Sequence, residues 1–394
     1  MTKIRIGVWL NDNFKPETGG VYGYYTKLIN TLNKYPFKNA EIVFLSDKKN
    51  NQLKNKTIKW RPAKSKILKA ILNLAKKLNP LFKNLINGLE KSMSREINEL
   101  RNEIYQYADV IYYPSHSCVY PDFPYIYTLW DLGHLSSYAF PELTMDGNFE
   151  VRKNRNDICL SQALMIFAES ETGKKQCEKY YNINEKRIKA IPLFPSDVVS
   201  HGCLAKKPAK LAGSDFFIHY PAQFWAHKNH YNLLLAMTSI IKMFPDLKLI
   251  LTGSDKGNKT HILNTVAELR LEKNVIDLGF VSLGELRWLY ENSRGLVMPT
   301  LLGPTNMPLL EAAELGCPVA CTNFSGHMEQ LGDYGYYFDG IDPNDIARQV
   351  IAMINDKKNG VIKNYVSKFN LDNTMEAIDE AFGELKQIRF CWGK

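Results

Sequence analysis

A glycine- and proline-containing loop runs directly into an apolar helix that carries one acidic residue. The sequence there, residues 301–319, is LLGPTNMPLLEAAELGCPV. Free N–H groups at the start of such a helix, at Asn306 and Met307, bind phosphate oxygens well. One turn further on, the carboxylate of Glu311 accepts hydrogen bonds from two ribose hydroxyls. This segment therefore predicts a site for a sugar-phosphate ligand, with a loop made of Gly303, Pro304, Thr305 and Asn306.

Three other short motifs place phosphate-binding groups between a strand and a helix. In HKNHYNLLLAM, Lys228 lies just before a helix, where its ammonium and the helix N-terminus both favour an anion, although a solvated lysine is the alternative. LTGSDKGN ends a strand with Gly253 and Ser254, which serve either a close ligand contact or an ordinary turn. PETGGVYGYY puts Gly19 and Gly20 before a helix, without the G-x-G-x-x-G pattern of dinucleotide sites.

Strand-like and helical patterns alternate along almost the whole chain. The first half contains the runs KIRIGVWL, EIVFLS, DVIYYPS, YIYTLW, ALMIFAES and IKAIPLF, and the second half restarts with FFIHYPA. Such alternation predicts an α/β fold with two doubly wound, Rossmann-like domains of parallel sheet. Ligands bind these sheets at the carboxyl ends of their strands, so a deep cleft between the two domains is the expected binding site.

The predicted domain boundaries follow this alternation. Residues 1–197 form a first Rossmann-like domain, with a basic amphipathic insertion at about 54–106. Residues 198–212 lack periodicity and contain Pro, Gly and Lys, which is typical of a linker. Residues 213–375 form a second domain of the same type. Residues 376–394 are predicted as a helix that packs back on the first domain.

Bulk composition places the chain among soluble globular proteins. With 394 residues it is long enough for two domains, and 45% hydrophobic and 23% charged residues exclude disordered and fibrous classes. No apolar run is long enough to cross a membrane, and the first residues lack a secretory leader, so a cytoplasmic location is expected. The seven cysteines lie scattered without zinc-site spacing, which predicts reduced thiols.

The net charge of +9 is concentrated in one segment. Residues 54–91 contain eleven bases and a single acid, Glu90, and apolar residues recur there at helical spacing. Such a basic amphipathic helix either lies on an anionic membrane or packs on the core with a solvated basic face, and both interpretations stay open. No aromatic-basic motif accompanies the charge, so nucleic-acid binding is not expected.

Several stretches taken together resemble the family-4 retaining glycosyltransferases of the GT-B fold. They are TLWDLGHLSSYAFPEL, HYPAQFWAHKNHYNLLLAM, VIDLGFVSLGELRWLYENSRGLVMPT and GPTNMPLLEAAELGCPVACTNFSGHMEQLGDYGYYFD. The resemblance runs from residue 4 to about 345, except for 51–107, and is nearest to a bacterial branch found in O-antigen and capsule assembly. It implies a nucleotide-sugar donor held mainly by the second domain, residues 213–375, and an acceptor bound by the first domain, residues 1–197.

The resemblance assigns roles to individual residues. Lys228 would contact the diphosphate and Glu311 the ribose, while the backbone around Thr305, Asn306 and Met307 meets the phosphates or the sugar. Gly19 and Gly20 would close over the diphosphate from the first domain, and Gly253, Ser254, Gly303 and Pro304 complete the donor side. Asp131 lies where the family has a His-Asp pair; Trp130 replaces that histidine, and His134 follows three residues later. The implied catalytic set is Asp131, Lys228 and Glu311.

Two departures from the family pattern bear on activity. Gly303 stands where many members have a second glutamate, and Gln223 stands where many have an arginine. Either the sugar is contacted differently, through Thr305 or Asn306, or activity is lost. The coherent design of the rest of the loop favours the first alternative.

The expected function is retaining transfer of a hexosyl residue, mannose-type, from a nucleotide-diphosphate sugar to a hydroxyl of a glycan or lipid-linked glycan. No cofactor and no metal are expected, since the chain has no Asp-x-Asp pair. Peripheral contact with the inner face of the cell membrane would bring the enzyme to a lipid-linked acceptor. Two rivals are a nucleotide-sugar 2-epimerase, for which no acid/base set is evident, and a catalytically silent nucleotide-sugar-binding partner of an assembly complex.

Overall fold

Two parallel β-sheets form the framework of the protein. The computed structural model describes residues 3–11, 20–50, 53, 55–58, 97–119, 122–137, 139–211, 215–356 and 369–391. Gly19 and almost all of the basic segment at 54–91 therefore lie outside the described residues. The predicted α/β class with two doubly wound domains is confirmed.

The first sheet has seven strands in the order β3-β2-β1-β4-β5-β6-β7. They are β1 (Ile4–Trp9), β2 (Ala40–Ser46), β3 (Lys56–Thr57), β4 (Val110–Tyr113), β5 (Tyr125–Leu129), β6 (Met165–Ala168) and β7 (Ile188–Ala190). Its helices are α1 (Gly20–Leu32), α2 (97–105), α3 (Gly133–Ser136), α4 (Pro141–Thr144), α5 (Asn148–Gln162) and α6 (Glu171–Tyr181). Every residue of β4 and β6 is buried, as expected for a parallel sheet covered on both faces.

The second sheet has six strands in the order β10-β9-β8-β11-β12-β13. They are β8 (Phe217–Pro221), β9 (Lys248–Thr252), β10 (Val275–Gly279), β11 (Leu296–Met298), β12 (Val319–Thr322) and β13 (Gly335–Phe338). Its helices are α7 (His230–Met243), α8 (Lys259–Glu268), α9 (Leu283–Asn292), α10 (Met307–Glu314), α11 (Ser325–Leu331) and α12 (Pro343–Asn355). The strand order reverses between β8 and β11, which are direct neighbours, so the loops after these two strands form a crevice.

The chain returns to the first domain in its last helix, α13 (Leu371–Arg389). Its apolar side chains, among them Ile378 and Phe382, join the core that also contains strands β1 and β4. The carboxylate of Asp379 accepts hydrogen bonds from the backbone N–H groups of Lys38 and Asn39, at 2.9 and 3.0 Å. This helix therefore belongs to the first domain by packing, although it follows the second in sequence.

The short connection between the domains contains two turns of 3₁₀ helix, Asp197–Val199 and Ala209–Leu211. None of the seven cysteines, all of which lie in the described ranges, forms a disulfide bond. In the described ranges, no helix combines the length and the apolar character needed to cross a membrane.

Candidate active site

A cavity of about 720 Å³ lies between the two domains. The first domain contributes side chains that follow β5 and β6 or lie on α1, α4 and α5, including Tyr24, Trp130, Asp131, Glu142, Arg152, Arg155 and Glu169. The second contributes the loops after β8 and β11, including Gln223, His227, Lys228, Gly303, Pro304, Thr305, Asn306 and Met307. The carboxyl ends of both sheets thus face one cavity, which is where doubly wound folds bind ligands.

Lys228 and Asn306 meet in the crevice between β8 and β11. The Lys228 ammonium lies 3.4 Å from Oδ1 of Asn306. Lys228 ends a single turn of 3₁₀ helix, Ala226–Lys228, and the next residue, Asn229, adopts a left-handed φ of 59°. The Asn229 amide donates to the carbonyls of Pro299 and Gly340, which ties this turn to the ends of strands β11 and β13.

The Lys228 ammonium is electrostatically unusual. Burial lowers the pKa of Lys228 to about 8, even though the carboxylates of Asp131 and Glu142 act in the opposite direction. A cation held in a cavity in this way binds a diphosphate strongly, because little water competes for it.

A buried histidine fixes the orientation of the Asn306 amide. Nδ1 of His327 lies 2.8 Å from the carbonyl oxygen of Thr322, which only accepts, so Nδ1 carries the proton. Nε2 therefore accepts from Nδ2 of Asn306, at 2.9 Å, and Oδ1 of Asn306 is left facing Lys228. Burial lowers the pKa of His327 to about 4, so the ring is neutral near pH 7.

The backbone N–H of Asn306 has a partner within the protein. It donates to Oε1 of Gln330 at 2.9 Å, and the Gln330 amide donates back to the carbonyl of Asn306 at 3.1 Å. The sequence predicts that this N–H binds a phosphate, but in the structure it already donates to Gln330. The loop before it turns at Gly303, whose φ is +101°.

Glu311 lies beside the cavity without being part of its lining. It is 5% exposed, and its Oε2 accepts a hydrogen bond from the Tyr290 hydroxyl at 2.8 Å. Burial raises the pKa of this carboxyl above its usual value, against hydrogen bonds from Ser196 and Tyr290. The residue predicted to hold a ribose is thus paired with protein groups from both domains.

Asp131 follows β5 on the opposite wall. It accepts a hydrogen bond from the Gly133 N–H at 2.9 Å and forms an ion pair with Arg152 at 3.3 Å. Burial acts to raise the pKa of Asp131, but Arg152 and the Gly133 N–H outweigh it and keep that pKa below its usual value. The carboxyl is therefore ionised near pH 7.

Of the two predicted sugar-side residues near Asp131, Trp130 lines the cavity and His134 does not. Trp130 lines the cavity and packs edge-to-face on His116, with ring centroids 4.7 Å apart. His134, predicted on the sugar side, is 1% exposed, lies outside the lining and packs against Phe149 instead. Burial lowers the pKa of His134 to about 4, so it is a neutral core side chain.

The remaining predicted donor residues have local structural contacts. A Cβ at Gly253, where φ is +146°, would lie 2.2 Å from the carbonyl oxygen of Ala222, so the close approach of two loops requires glycine. The Ser254 carbonyl accepts from the N–H of Phe224, and Gln223 accepts from the Trp225 indole. Gly253 and Ser254 lie outside the lining, and Gln223 lies within it. Gly20 begins helix α1.

A histidine–glutamate contact bridges the two walls of the cavity. Oε1 of Glu142, on α4, accepts from the His227 backbone N–H at 2.9 Å and lies 2.5 Å from Nδ1 of the same residue. Burial lowers the pKa of His227 despite the carboxylate, and the pKa of Glu142 is also lowered by these hydrogen bonds, against burial. A neutral imidazole donating to a carboxylate accounts for both directions.

The sequence predicted no role for Glu142, Glu169, Arg152, Arg155 or His327. Glu142 and His327 lie in stretches that carry the family resemblance, and the other three lie in none of those stretches. The available signal was position: Glu169 directly follows the buried strand β6, and Arg152 and Arg155 lie three residues apart on one face of helix α5.

Comparison with known proteins identifies the domain that carries Lys228, Asn306 and Glu311. Residues 205–368 match the family model described as glycosyl transferases group 1. The match covers the second domain, which is therefore similar to group 1 glycosyltransferases. The predicted resemblance to glycosyltransferases is thereby confirmed.

Two curated relatives extend this similarity. O-antigen chain mannosyltransferase B of Escherichia coli is 33% identical over 79 residues, which are 20% of this chain and 21% of that protein. O-antigen chain mannosyltransferase RfbU of Salmonella typhimurium is 24% identical over 226 residues, 56% of this chain and 60% of that protein. The matches thus span less than two thirds of either relative.

A solved structure shares the fold over nearly the full length. Anabaena HepE, in complex with UDP and glucose, superposes with a TM-score of 0.62 at 16% identity, covering 96% of this chain and 99% of that one. The arrangement of two facing Rossmann-like domains is the GT-B fold, as predicted.

Proposed function

We propose that the chain is a glycosyltransferase that moves a hexosyl residue from a nucleotide-diphosphate sugar to a hydroxyl of a glycan or lipid-linked glycan. The observation that carries this proposal is the cavity in which the second domain presents Lys228 and Asn306 opposite Asp131 of the first domain. Mannose is the proposed sugar, because both curated relatives are named O-antigen mannosyltransferases. Surface polysaccharide assembly is the corresponding role.

The donor diphosphate would lie against Lys228, whose ammonium contacts Asn306. The ribose would exchange one of the hydrogen bonds that Glu311 now receives from Ser196 and Tyr290 for its own hydroxyls. After this exchange the Glu311 carboxyl still accepts from the same number of donors, so none of its oxygens is left unpaired. The transferred sugar then faces Asp131 across the cavity.

The family resemblance supports a retaining reaction. The bond between the sugar C1 and the diphosphate oxygen breaks, and a bond from C1 to the acceptor oxygen forms on the same face. The acceptor proton passes to an oxygen of the departing diphosphate. Lys228 stabilises the charge on that diphosphate, and Asp131 stabilises the positive charge that develops at C1, so catalysis rests on positioning and electrostatics.

No metal or other cofactor takes part in the proposed reaction. The ammonium of Lys228 and the N-terminus of α10 supply the positive field that a divalent ion supplies in other transferases. Peripheral contact with an anionic membrane, through the basic segment at 54–91, would bring the cavity to a lipid-linked acceptor.

A second candidate is a catalytically silent protein that binds a nucleotide sugar within an assembly complex. Gly303 in place of a glutamate and Trp130 in place of a histidine favour it. Turnover separates the two candidates: the enzyme hydrolyses its donor slowly without an acceptor, and a silent partner binds the donor tightly with no turnover for any acceptor.

The first experiment is a thermal-shift screen with GDP-, UDP-, dTDP- and ADP-sugars on the wild type, on Glu311→Gln and on Glu314→Gln. Glu314 is exposed on the same helix and is the matched control. We expect GDP-mannose to stabilise the wild type and the control, and Glu311→Gln to lose most of that shift. Absence of a shift with every nucleotide sugar would contradict the proposed donor site.

Stereochemistry and metal dependence are tested on the same proteins. Proton NMR of the transferred sugar should show an axial anomeric linkage from an axial donor, and EDTA should leave the rate unchanged. Inversion at C1 or loss of the rate in EDTA would overturn the corresponding part of the proposal.

A further inference from the structure

The first-domain wall of the cavity carries buried polar atoms that have no partner within the described ranges. They are both carboxylate oxygens of Glu169, Nη1 of Arg152 and Nε of Arg155. All three residues line the cavity, and Glu169 is only 7% exposed. Proteins seldom leave buried polar atoms unpaired, so this group points to a ligand.

A structural role at the adjacent helix does not explain Glu169. Helix α6 begins two residues later, but its first N–H groups are already taken. Glu171 and Thr172 donate to the Glu329 carboxylate, and Gly173 donates to the Ser170 hydroxyl. Glu169 therefore does not cap this helix. Burial, together with the charges of Asp131 and Glu329, raises its pKa well above the usual range.

The backbone makes room for this carboxyl at the cavity. A Cβ at Gly173 would lie only 3.0 Å from Oε1 of Glu169, so a glycine in the first turn of α6 accommodates it. Tyr24 and Trp130 line the same wall and provide flat apolar surfaces. The wall thus combines acceptors from a carboxyl, donors from two guanidinium groups, and aromatic rings.

This combination of groups disfavours charged ligands and favours an uncharged sugar. A phosphate would be attracted by the arginines but repelled by the ionised Asp131, and an ammonium would be repelled by both guanidinium groups. A sugar hydroxyl both donates and accepts, so it satisfies a carboxyl and a guanidinium at once, and the apolar face of a sugar ring packs on aromatic side chains.

We propose that Glu169, Arg152 and Arg155 form a subsite that binds an uncharged sugar residue of the acceptor. This inference rests on the proposed function, in which the donor occupies the opposite wall at Lys228 and Asn306. The Glu169 carboxyl exchanges hydrogen bonds with two sugar hydroxyls, and Nη1 of Arg152 and Nε of Arg155 donate to neighbouring sugar oxygens. The subsite therefore selects the acceptor by its hydroxyl pattern.

Saturation-transfer NMR tests the subsite with methyl α-mannoside and methyl α-glucoside as uncharged probes, and with glucosamine and glucuronic acid as charged ones. The proteins are wild type, Glu169→Gln, Arg155→Met and Glu150→Gln; Glu150 is exposed on helix α5 and serves as the control. We expect an uncharged glycoside to bind the wild type and the control with equal affinity. Its affinity for Glu169→Gln and Arg155→Met should be lower by about tenfold or more. Arg155→Met keeps the test open if Glu169→Gln folds poorly.

Thermal shifts with nucleotide sugars on the same samples separate this inference from the proposed function. Glu169→Gln should keep the nucleotide-induced shift of the wild type. If no nucleotide stabilises the wild type, the proposed function fails, whatever the sugars do. The subsite is overturned if no uncharged glycoside binds the wild type, if a charged probe binds better, or if both variants bind like the control.

Discussion

At the scale of single residues, the ammonium of Lys228 determines how donor binding depends on pH. Its pKa is lowered to about 8 by burial, so the ammonium is intact at neutral pH and is lost as pH rises through that value. Affinity for a nucleoside diphosphate should therefore fall progressively as the pH rises above about 8. Isothermal titration calorimetry with GDP and UDP at a series of pH values measures this affinity.

Lys228→Arg is the matched control for this pH dependence. A guanidinium stays charged throughout the range, so the alkaline fall should disappear even if the absolute affinity is lower. An equal fall in both proteins would assign the titration to another group.

His327 is the positioning residue for the Asn306–Lys228 pair. In His327→Leu, Nδ2 of Asn306 loses its acceptor, so the amide can rotate and its Oδ1 no longer faces the ammonium. We expect a loss of about 1–3 kcal/mol in the free energy of unfolding, from the unpaired amide. Nucleotide affinity should fall several-fold.

A double-mutant cycle with Asn306→Ala isolates this effect. In that background the His327 substitution should cost much less nucleotide affinity, because the amide that it orients is gone. Additive losses would show that His327 acts on the site by another route.

At the scale of elements, the loop after β11 depends on the backbone conformation of Gly303. Its φ of +101° is unfavourable for other residues, although a Cβ there would meet nothing closer than 3.5 Å. Gly303→Ala should therefore cost about 1–3 kcal/mol in the free energy of unfolding through backbone strain alone. Urea denaturation measures the difference.

Gly202→Ala is the comparison for that measurement. Gly202 has no positive φ, and a Cβ there would meet nothing within 4 Å, so its substitution should be neutral or slightly stabilising. By the same reasoning, Gly303→Glu should weaken the loop and not restore a glutamate contact. A gain of transfer rate in Gly303→Glu would contradict this view of the loop.

The strands were predictable from sequence because parallel sheets bury both faces and produce continuous apolar runs. Residues 110–113, VIYY, are an example. Lys228 and the 303–306 loop were predictable for a related reason, since each follows a strand end. Which loops lie next to each other was not predictable from the sequence. Periodicity carries no information on contacts such as that between Glu142 and His227, which are 85 positions apart. Glu169 was not predicted as a site residue, because an isolated acidic residue after a strand resembles many surface residues.

At the scale of the whole molecule, two carboxylates of opposite domains hold the cavity in its present width. Glu142 of the first domain binds His227 of the second. Glu329 of the second accepts from the N–H groups of Glu171 and Thr172, at 2.8 and 3.0 Å, and from the Thr172 hydroxyl. Because α6 presents its N-terminus to Glu329, the helix dipole strengthens this second contact.

Removing the Glu329 contact should open the cavity. Glu329→Leu leaves the first turn of α6 without its acceptor, so the ligand-free protein should show a larger radius of gyration in small-angle X-ray scattering than Glu314→Leu, an exposed control in the same domain. A nucleotide that bridges both walls should bring the radius back toward the wild-type value, at the cost of weaker apparent binding. An unchanged radius would mean that Glu142 and His227 suffice to keep the domains together, and Glu142→Leu would then be the variant that opens them.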